Sequence, residues 1–128
     1  MAKKPNQLLL RKKADAIFSR YIRQRDKGVC FTCGLVKHWK EMQNGHFIPR
    51  QYLATRFSED NCACQCYACN MLFNGQPSVF SIKLREIYGE DQIHKLEAKR
   101  REVIRYFDYE KVIKDYTEKC KELGYEIK

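Results

Sequence analysis

Two pairs of cysteines constrain the fold of this chain more than any other feature. They are Cys30 with Cys33 and Cys66 with Cys69, and each pair encloses two residues. Two intervening residues let one tight turn direct both sulfurs at a single ion, and four thiolates form a closed, tetrahedral zinc site. The segment between the pairs is long enough to fold back on itself. The spacing therefore predicts a structural Zn²⁺ site.

Three further cysteines leave an alternative open. Cys62, Cys64 and Cys66 alternate along one face of an extended segment, so Cys64 competes with Cys66 for the metal. Otherwise Cys62, Cys64 and Cys120 suit core positions, where cysteine behaves as a small apolar residue. A disulfide framework is disfavoured because the count of seven is odd. A redox role is disfavoured because no thioredoxin-like βαβ pattern surrounds either pair.

Composition indicates one soluble domain that binds a polyanion. The 128 residues are 44% hydrophobic and 32% charged, which is typical of a globular protein. No apolar run approaches the roughly 20 residues of a membrane span, and no signal peptide is evident, so we expect a cytoplasmic protein. The net charge of +9 favours nucleic acid as the partner, although a solvated lysine surface gives the same charge.

The hydrophobic pattern predicts an α+β domain that is mostly α. We treat residues 1–128 as a single domain with a basic N-terminal helix over 7–27, a zinc-stabilised core over 28–76 and C-terminal helices over 77–128. Gly28 is a typical helix stop signal. In the core, Leu35–Val36 and His46–Ile48 are predicted to form a hairpin, and residues 50–58 a loop.

The last third of the chain shows helical periodicity. A short helix is predicted from Cys66 to Asn74, and another from Pro77 to Tyr88. A third is expected to begin at Glu90 and to carry Ile93, Leu96, Val103 and Phe107 on one face. A final apolar stripe runs from Tyr109 to Leu123 and ends at Gly124. These stripes are more typical of ordinary core than of a cofactor site.

His46, Asn61 and Asn70 lie between or beside the cysteine pairs, and they give the chain its resemblance to a known family. The sequence resembles the NinG/Rap family of phage recombination endonucleases over roughly 16–88. The resemblance is carried by Tyr21-Ile-Arg-Gln-Arg-Asp26, Cys30-Phe-Thr-Cys33-Gly34, Gly45-His46-Phe47, Arg56-Phe57, Asn61 and Gln65-Cys66-Tyr-Ala-Cys69-Asn70.

The resemblance implies an HNH, or His-Me finger, nuclease with a ββα-metal fold and a treble-clef zinc site. It implies a structure-selective DNA endonuclease that acts on branched, Holliday-type recombination intermediates in a bacterial host cell. His46 would be the general base, Asn61 the middle asparagine and Asn70 a ligand of the catalytic metal near His46. An amide oxygen suits Mg²⁺ or Mn²⁺ better than zinc.

Gly45 departs from many HNH sequences, in which an acidic residue or histidine precedes the base as a further metal ligand. Glu41, Glu59 and Asp60 are candidates to complete the metal shell. His38 and His94 are expected at the surface without a role. Six basic residues are predicted to bind DNA phosphates: Arg20, Arg23, Arg50, Arg56, Lys83 and Arg85.

Two cuts across a symmetric junction would favour a homodimer, with the C-terminal stripes as its interface. Two other functions stay open. One is a catalytically inactive treble-clef module that binds DNA, which Gly45 and the basic charge favour. The other is a structural zinc protein that binds another protein through its helices. No membrane partner is expected.

Overall fold

Helices make up most of residues 6–124, the part of the chain that the computed structural model describes. The main elements are α1 (Gln7–Arg25), β1 (Gln43–His46), α2 (Leu53–Arg56), β2 (Cys62–Gln65), α3 (Pro77–Tyr88), α4 (Glu90–Ala98) and α5 (Tyr109–Glu122). Short 3-10 turns cover Trp39–Glu41, Glu59–Asn61 and Lys99–Arg101, and a π-helical turn covers Ala68–Leu72. The predicted α+β class, mostly α, is confirmed. No helix in the described range is long and apolar enough to cross a membrane.

Helix α1 begins at the predicted residue and ends close to the predicted end. The Asn6 side chain caps it, since Oδ1 accepts hydrogen bonds from the backbone N–H groups of Leu8 and Leu9 at 3.0 and 3.3 Å. The helix ends at Arg25, two residues before the predicted end. Gly28 then adopts a φ of +70°, and a Cβ there would lie 1.9 Å from the Lys37 carbonyl oxygen. The turn after α1 therefore requires glycine.

The two-stranded sheet differs from the predicted hairpin. Strand β1 pairs antiparallel with β2, and His46 lies opposite Cys62. The prediction that Leu35–Val36 is the partner strand is wrong. The Leu35 carbonyl accepts the Cys30 N–H at 2.8 Å and so closes the turn of the first cysteine pair, while Val36 forms one isolated bridge with Val29. Leu35–Val36 therefore belongs to the turn that carries the first cysteine pair.

Two more predicted segments need correction. Residues 50–58 are not all loop, because α2 lies within them. The helix that begins at Glu90 ends at Ala98 and does not reach Phe107; Val103 is 83% exposed. The charged residues directly after Ala98 offer no apolar face to bury. Packing against the core therefore cannot stabilise a longer helix there. Phe107 packs instead on Phe57, with ring centroids 5.3 Å apart.

Helix α5 packs against α1 within the same chain. Val112 and Cys120 are buried, and the rings of Phe18 and Tyr116 meet edge to face at 4.8 Å. The Lys119 ammonium donates a hydrogen bond to the Glu59 carboxylate at 2.7 Å. The buried part of the C-terminal stripe is thus used inside the chain. A second core joins β2 to α3 and α4, and its buried residues are Ile48, Ala63, Phe80, Leu84, Ile93 and Leu96.

Candidate metal centre and adjoining cavity

The predicted metal-ligand cysteines come together in the fold. The Sγ atoms of Cys30, Cys33, Cys66 and Cys69 all lie within 4.8 Å of one another. A tetrahedral zinc ion with Zn–S bonds of about 2.3 Å needs S–S separations of about 3.8 Å, and Cys33 and Cys66 lie 3.7 Å apart. Cys64 is buried outside this group, opposite Asn44 in the sheet. The cluster therefore suggests a zinc site with the predicted ligands, and Cys64 replaces none of them.

The surroundings favour a thiolate at Cys30, whereas burial and the neighbouring thiols raise the pKa of Cys33 to about 12 and burial raises the pKa of Cys69. Burial alone would raise the pKa of the Cys30 thiol, but hydrogen bonds from the Cys66 backbone and the Thr32 hydroxyl lower it to about 6. The Cys69 backbone N–H also points at the Cys66 sulfur, at 3.5 Å. Donors of this kind stabilise the charged sulfurs that a metal requires.

A cavity of about 480 Å³ lies beside the metal centre, between α1, β1 and the π-helical turn. His46 and Asn70 both line it, although they lie on different elements. Arg23 and Arg50 line it as well. Four of the residues that the sequence singled out for chemistry or DNA binding therefore surround one space.

The imidazole of His46 has a defined tautomer. Its Nε2 atom lies 2.9 Å from the Arg56 carbonyl oxygen, and a carbonyl can only accept, so Nε2 carries the hydrogen and donates it. In the neutral ring, Nδ1 then holds the lone pair. Burial lowers the pKa of His46 below 6.5. This histidine is consequently neutral at pH 7 and has one nitrogen able to accept a proton.

Arg56 holds the carbonyl on which His46 depends. Its guanidinium pairs with the Asp15 carboxylate of α1, with Nε and Oδ1 2.8 Å apart, and donates to the Arg50 carbonyl at 3.0 Å. The Arg56 side chain is only 12% exposed, and the hydrogen bonds that it donates to the Asp15 carboxylate raise its pKa. Arg56 therefore fixes the loop between β1 and β2, and its side chain is already committed to an internal carboxylate.

Asn61 acts on the same loop from within the core. It is fully buried; its Oδ1 accepts the Ile48 N–H at 2.8 Å, and its Nδ2 donates to the carbonyls of Ile48 and Thr55 at 3.0 and 3.1 Å. The residue after Thr55 is Arg56, which supplies the carbonyl bound by His46. The side chain of Asn61 thus supports the imidazole through the loop and not through a hydrogen bond to the ring.

Asn70 presents an amide to the cavity from the π-helical turn. Its Nδ2 donates to Oε1 of Gln43 at 2.7 Å, which leaves its oxygen for a ligand. Asn44 also lines the cavity, and its buried Oδ1 has no hydrogen-bond partner among the described residues. Asp15 adds a carboxylate. Oxygen donors of these kinds fit Mg²⁺ or Mn²⁺.

Gly45 has a packing reason for lacking a side chain. A Cβ there would lie 1.9 Å from Oε1 of Gln65, which is fully buried. The Gln65 amide nitrogen donates to the Thr32 hydroxyl at 3.0 Å and to the Gly75 carbonyl at 2.9 Å. Thr32 lies inside the first cysteine pair and Gly75 follows the second. Glycine at 45 thus makes room for a side chain that joins the two halves of the metal centre.

The other predicted basic residues are dispersed. The guanidinium groups of Arg20 and Arg23 lie 5.2 and 5.1 Å from the centre of the Trp39 ring, and of these two arginines Arg23 lines the cavity. Lys83 lines a different groove, and Arg85 pairs with Glu90 at 2.7 Å. Lys83 and Arg85 therefore do not join the group around the cavity.

The acidic candidates Glu41, Glu59 and Asp60 do not line the cavity. Glu59 binds Tyr116 and Lys119, and Asp60 accepts a hydrogen bond from Gln92 at 2.6 Å. The carboxylate that does line the cavity, Asp15, was missed by the sequence analysis. Asp15 is the only acidic residue in the otherwise basic α1, which is the signal that would have found it. Asn44 carried no comparable signal.

The two remaining histidines lie on the surface, as expected. His38 is exposed, and its Nδ1 accepts the Lys40 backbone N–H at 3.2 Å. His94 is also exposed, and its Nε2 lies 3.4 Å from the Glu90 carboxylate. Neither lines the cavity.

Comparison with protein families finds a match to the family model described as "NinG: Bacteriophage Lambda NinG protein", over residues 1–126. No curated protein matches. No solved structure matches either. The family match extends beyond the region 16–88 that carries the sequence resemblance and includes the C-terminal helices. The chain belongs to the NinG family, which is described by the bacteriophage Lambda NinG protein.

Proposed function

We propose that this protein is a metal-dependent DNA endonuclease of the HNH, or His-Me finger, class. The observation that supports this most is the shared cavity, in which His46, with Nδ1 available, meets the oxygen donors of Asn70 and Asp15. The order of β1, β2 and a helical turn, next to four clustered cysteines, also fits a ββα-metal fold with a treble-clef zinc site.

In the proposed reaction, Nδ1 of His46 takes a proton from the water that attacks the phosphorus atom. The lowered pKa of His46 keeps the base neutral at pH 7. As the ring gains charge, the Arg56 carbonyl on Nε2–H stabilises it and keeps its orientation. Arg50 and Arg23 at the cavity supply positive charge for the phosphate.

Asn70, Asp15 and Asn44 are the residues that would hold a catalytic Mg²⁺ or Mn²⁺. When bound, such an ion polarises the phosphate and stabilises the leaving oxygen. Asp15 also keeps the base in place, because its ion pair with Arg56 fixes the loop that carries the Arg56 carbonyl.

For the substrate, we propose branched DNA formed during phage recombination in the host cytoplasm. The basic residues around the cavity suit phosphate contacts, which position DNA without reading its sequence. The family to which the chain belongs supports a phage role. A homodimer would place two such cavities on one junction.

A catalytically inactive DNA-binding module is the second candidate. It is favoured by the Asp15 carboxylate, which is paired with Arg56, and by Gly45, which supplies no ligand. Both features leave fewer free carboxylates than a metal site commonly uses.

The deciding experiment is a cleavage panel of linear, nicked and four-way-junction DNA with Mg²⁺ or Mn²⁺. We expect wild type to cut the junction. His46→Ala should lose at least about 100-fold in rate, as general-base removal does, yet bind the junction as tightly. His38→Ala is the matched control, since that histidine is exposed and lies outside the cavity, and it should cleave normally. Binding by wild type without cleavage of any substrate would favour the inactive module.

A further inference from the structure

A short apolar surface lies next to the cavity and has no role in the proposed chemistry. Met71, Leu72 and Phe73 are 55, 63 and 56% exposed, and Tyr67, one helical turn earlier, is 56% exposed. No other three consecutive residues between 6 and 124 all expose large apolar side chains. We call these four residues the apolar rim. Contiguous exposed apolar surface of this kind commonly marks an interaction site.

The backbone under the apolar rim is firmly held. The Gly75 N–H donates to the Cys69 carbonyl at 2.8 Å, and the buried Gln65 amide donates to the Gly75 carbonyl at 2.9 Å. Asn74 and Gln76 both adopt positive φ angles, of 53° and 52°, which are uncommon for residues other than glycine. A surface fixed in this way loses little conformational entropy when it binds.

The rim is continuous with the cavity. Met71 lines the cavity together with Asn70, the neighbouring residue and proposed metal ligand. Arg23 and Arg50 also line the cavity and would hold phosphates. A strand whose phosphate lay between these arginines and His46 would bring the bases attached to it to the rim.

We infer that the apolar rim contacts unstacked DNA bases next to the phosphate that is cut. The inference rests on the proposed function, because it takes DNA as the occupant of the cavity. In an intact duplex the base faces are covered by their neighbours, so a rim of this chemistry selects strands whose bases are open at a branch. Apolar and aromatic side chains stack on such bases or wedge between them.

Charge favours DNA over a second copy of the chain as the occupant. The rim borders a cavity lined by Arg23 and Arg50, in a chain with a net charge of +9. A symmetric contact through the rim would bring two basic cavities side by side, which like-charge repulsion opposes. DNA with unstacked bases offers negative phosphates to the arginines and apolar base faces to the rim.

The test measures binding without cleavage, in the His46→Ala background. The probes are a four-way junction with 2-aminopurine at the branch point and a linear duplex of equal length. Adding Leu72→Ala and Phe73→Ala should weaken junction binding about tenfold or more, since each lost base stack is worth about that factor, and should weaken duplex binding less than about twofold. The fluorescence change of 2-aminopurine on binding should be lost as well.

Ile82→Ala is the matched control, because Ile82 is 58% exposed on α3 and lies outside the cavity. It should leave both affinities unchanged, and Phe73→Tyr, which keeps a ring, should bind the junction nearly normally. If the double change lowers zinc content or helicity, Phe73→Ala alone provides the same comparison of the two DNAs.

Equal losses on junction and duplex, or no loss on either, would overturn the inference. Loss of a wild-type dimer in the rim variant, seen by sedimentation without DNA, would overturn it in favour of a second copy. Failure of the nuclease proposal gives a different result. A wild-type protein that cuts no DNA, but whose junction binding depends on the rim, would refute the nuclease proposal and leave this inference standing. A rim variant that cuts the junction normally would refute this inference and leave the nuclease proposal standing.

Discussion

Replacing Gly45 with alanine tests the internal support of the metal centre directly. The new Cβ would lie 1.9 Å from Oε1 and 2.6 Å from Cδ of Gln65, far inside the distance that real contacts allow. The Gly45 backbone itself is not left-handed, so any cost comes from this collision and not from its φ angle. Gln65 is fully buried, so its side chain cannot move out of the way into solvent. It must therefore give up its present position.

The cost of Gly45→Ala can be worked from the contacts of Gln65. Displacing its amide breaks hydrogen bonds to the Thr32 hydroxyl and the Gly75 carbonyl, of 3.0 and 2.9 Å, at about 1 kcal/mol each. Overpacking a tight core adds about 1–3 kcal/mol. We expect the free energy of unfolding to fall by about 3–5 kcal/mol, a large share of the 5–15 kcal/mol typical of a domain.

Urea unfolding at a fixed zinc concentration measures this cost. Gly34→Ala is the control, because nothing lies within 4 Å of its Cβ position and only the φ of +80° is strained, which costs about 1 kcal/mol. In a Gln65→Ala background, the cost of Gly45→Ala should nearly vanish, since the colliding atoms are gone. A cost below about 1 kcal/mol, or the same cost in both backgrounds, would refute the reasoning.

Three further predictions test the metal centre, the loop and the base. Cys33→Ser should reduce bound zinc below one ion per chain, measured by elemental analysis, and lower the unfolding midpoint, because a closed site needs all four ligands. Asn61→Ala should cost about 2–4 kcal/mol in urea unfolding, because three hydrogen bonds of a fully buried side chain are lost; a neutral result would mean the loop does not depend on it. Burial lowers the pKa of His46, so cleavage should hold as the pH falls to 6.5 and decline only below it, which kcat/KM measured between about pH 5 and 8 will show. Because the pKa of His46 is lower in the folded chain than in the unfolded chain, the unfolded chain binds more protons below pH 6.5. The contribution of His46 to the free energy of unfolding is therefore complete above pH 6.5 and declines as the pH falls through the folded pKa.

The metal centre and most helices could be predicted from sequence because their signals are local. A Cys-x-x-Cys turn has its own geometry, and the apolar period of α3 and α5 records which face each helix buries. The sheet had no such signal. Strand β1 reads Gln-Asn-Gly-His, without alternating apolar residues, and its partner β2 is a run of buried residues with no exposed face. The register between them brings the Gln65 side chain against Gly45, which no period in the sequence reveals.

The candidate site was predicted in part for a related reason. His46 and Asn70 carry chemistry that a motif can display, whereas Asp15 lies far from them in the sequence and reaches them only because α1 packs across the sheet. The role of Asn61 also depended on the third dimension. The Arg56 carbonyl accepts the hydrogen bond from His46, and Asn61 holds the neighbouring Thr55 carbonyl. Roles that depend on a hydrogen-bond partner could not be read from residue types alone.

The two sides of the cavity are fixed by different interactions, so different changes should disturb them. Tyr67 lies within the second cysteine pair, and Asn70 and the rest of the apolar rim follow it, so their position depends on the cysteine cluster and on Gln65. His46 depends on the loop carbonyl that Arg56 and Asn61 hold from α1 and the core. Loss of zinc should therefore displace Asn70 and the apolar rim before it disturbs His46. Damage to α1 should displace His46 before it disturbs Asn70 and the rim. Gly45 affects both sides of the cavity. It lies in the strand that carries His46, and its lack of a side chain leaves room for Gln65.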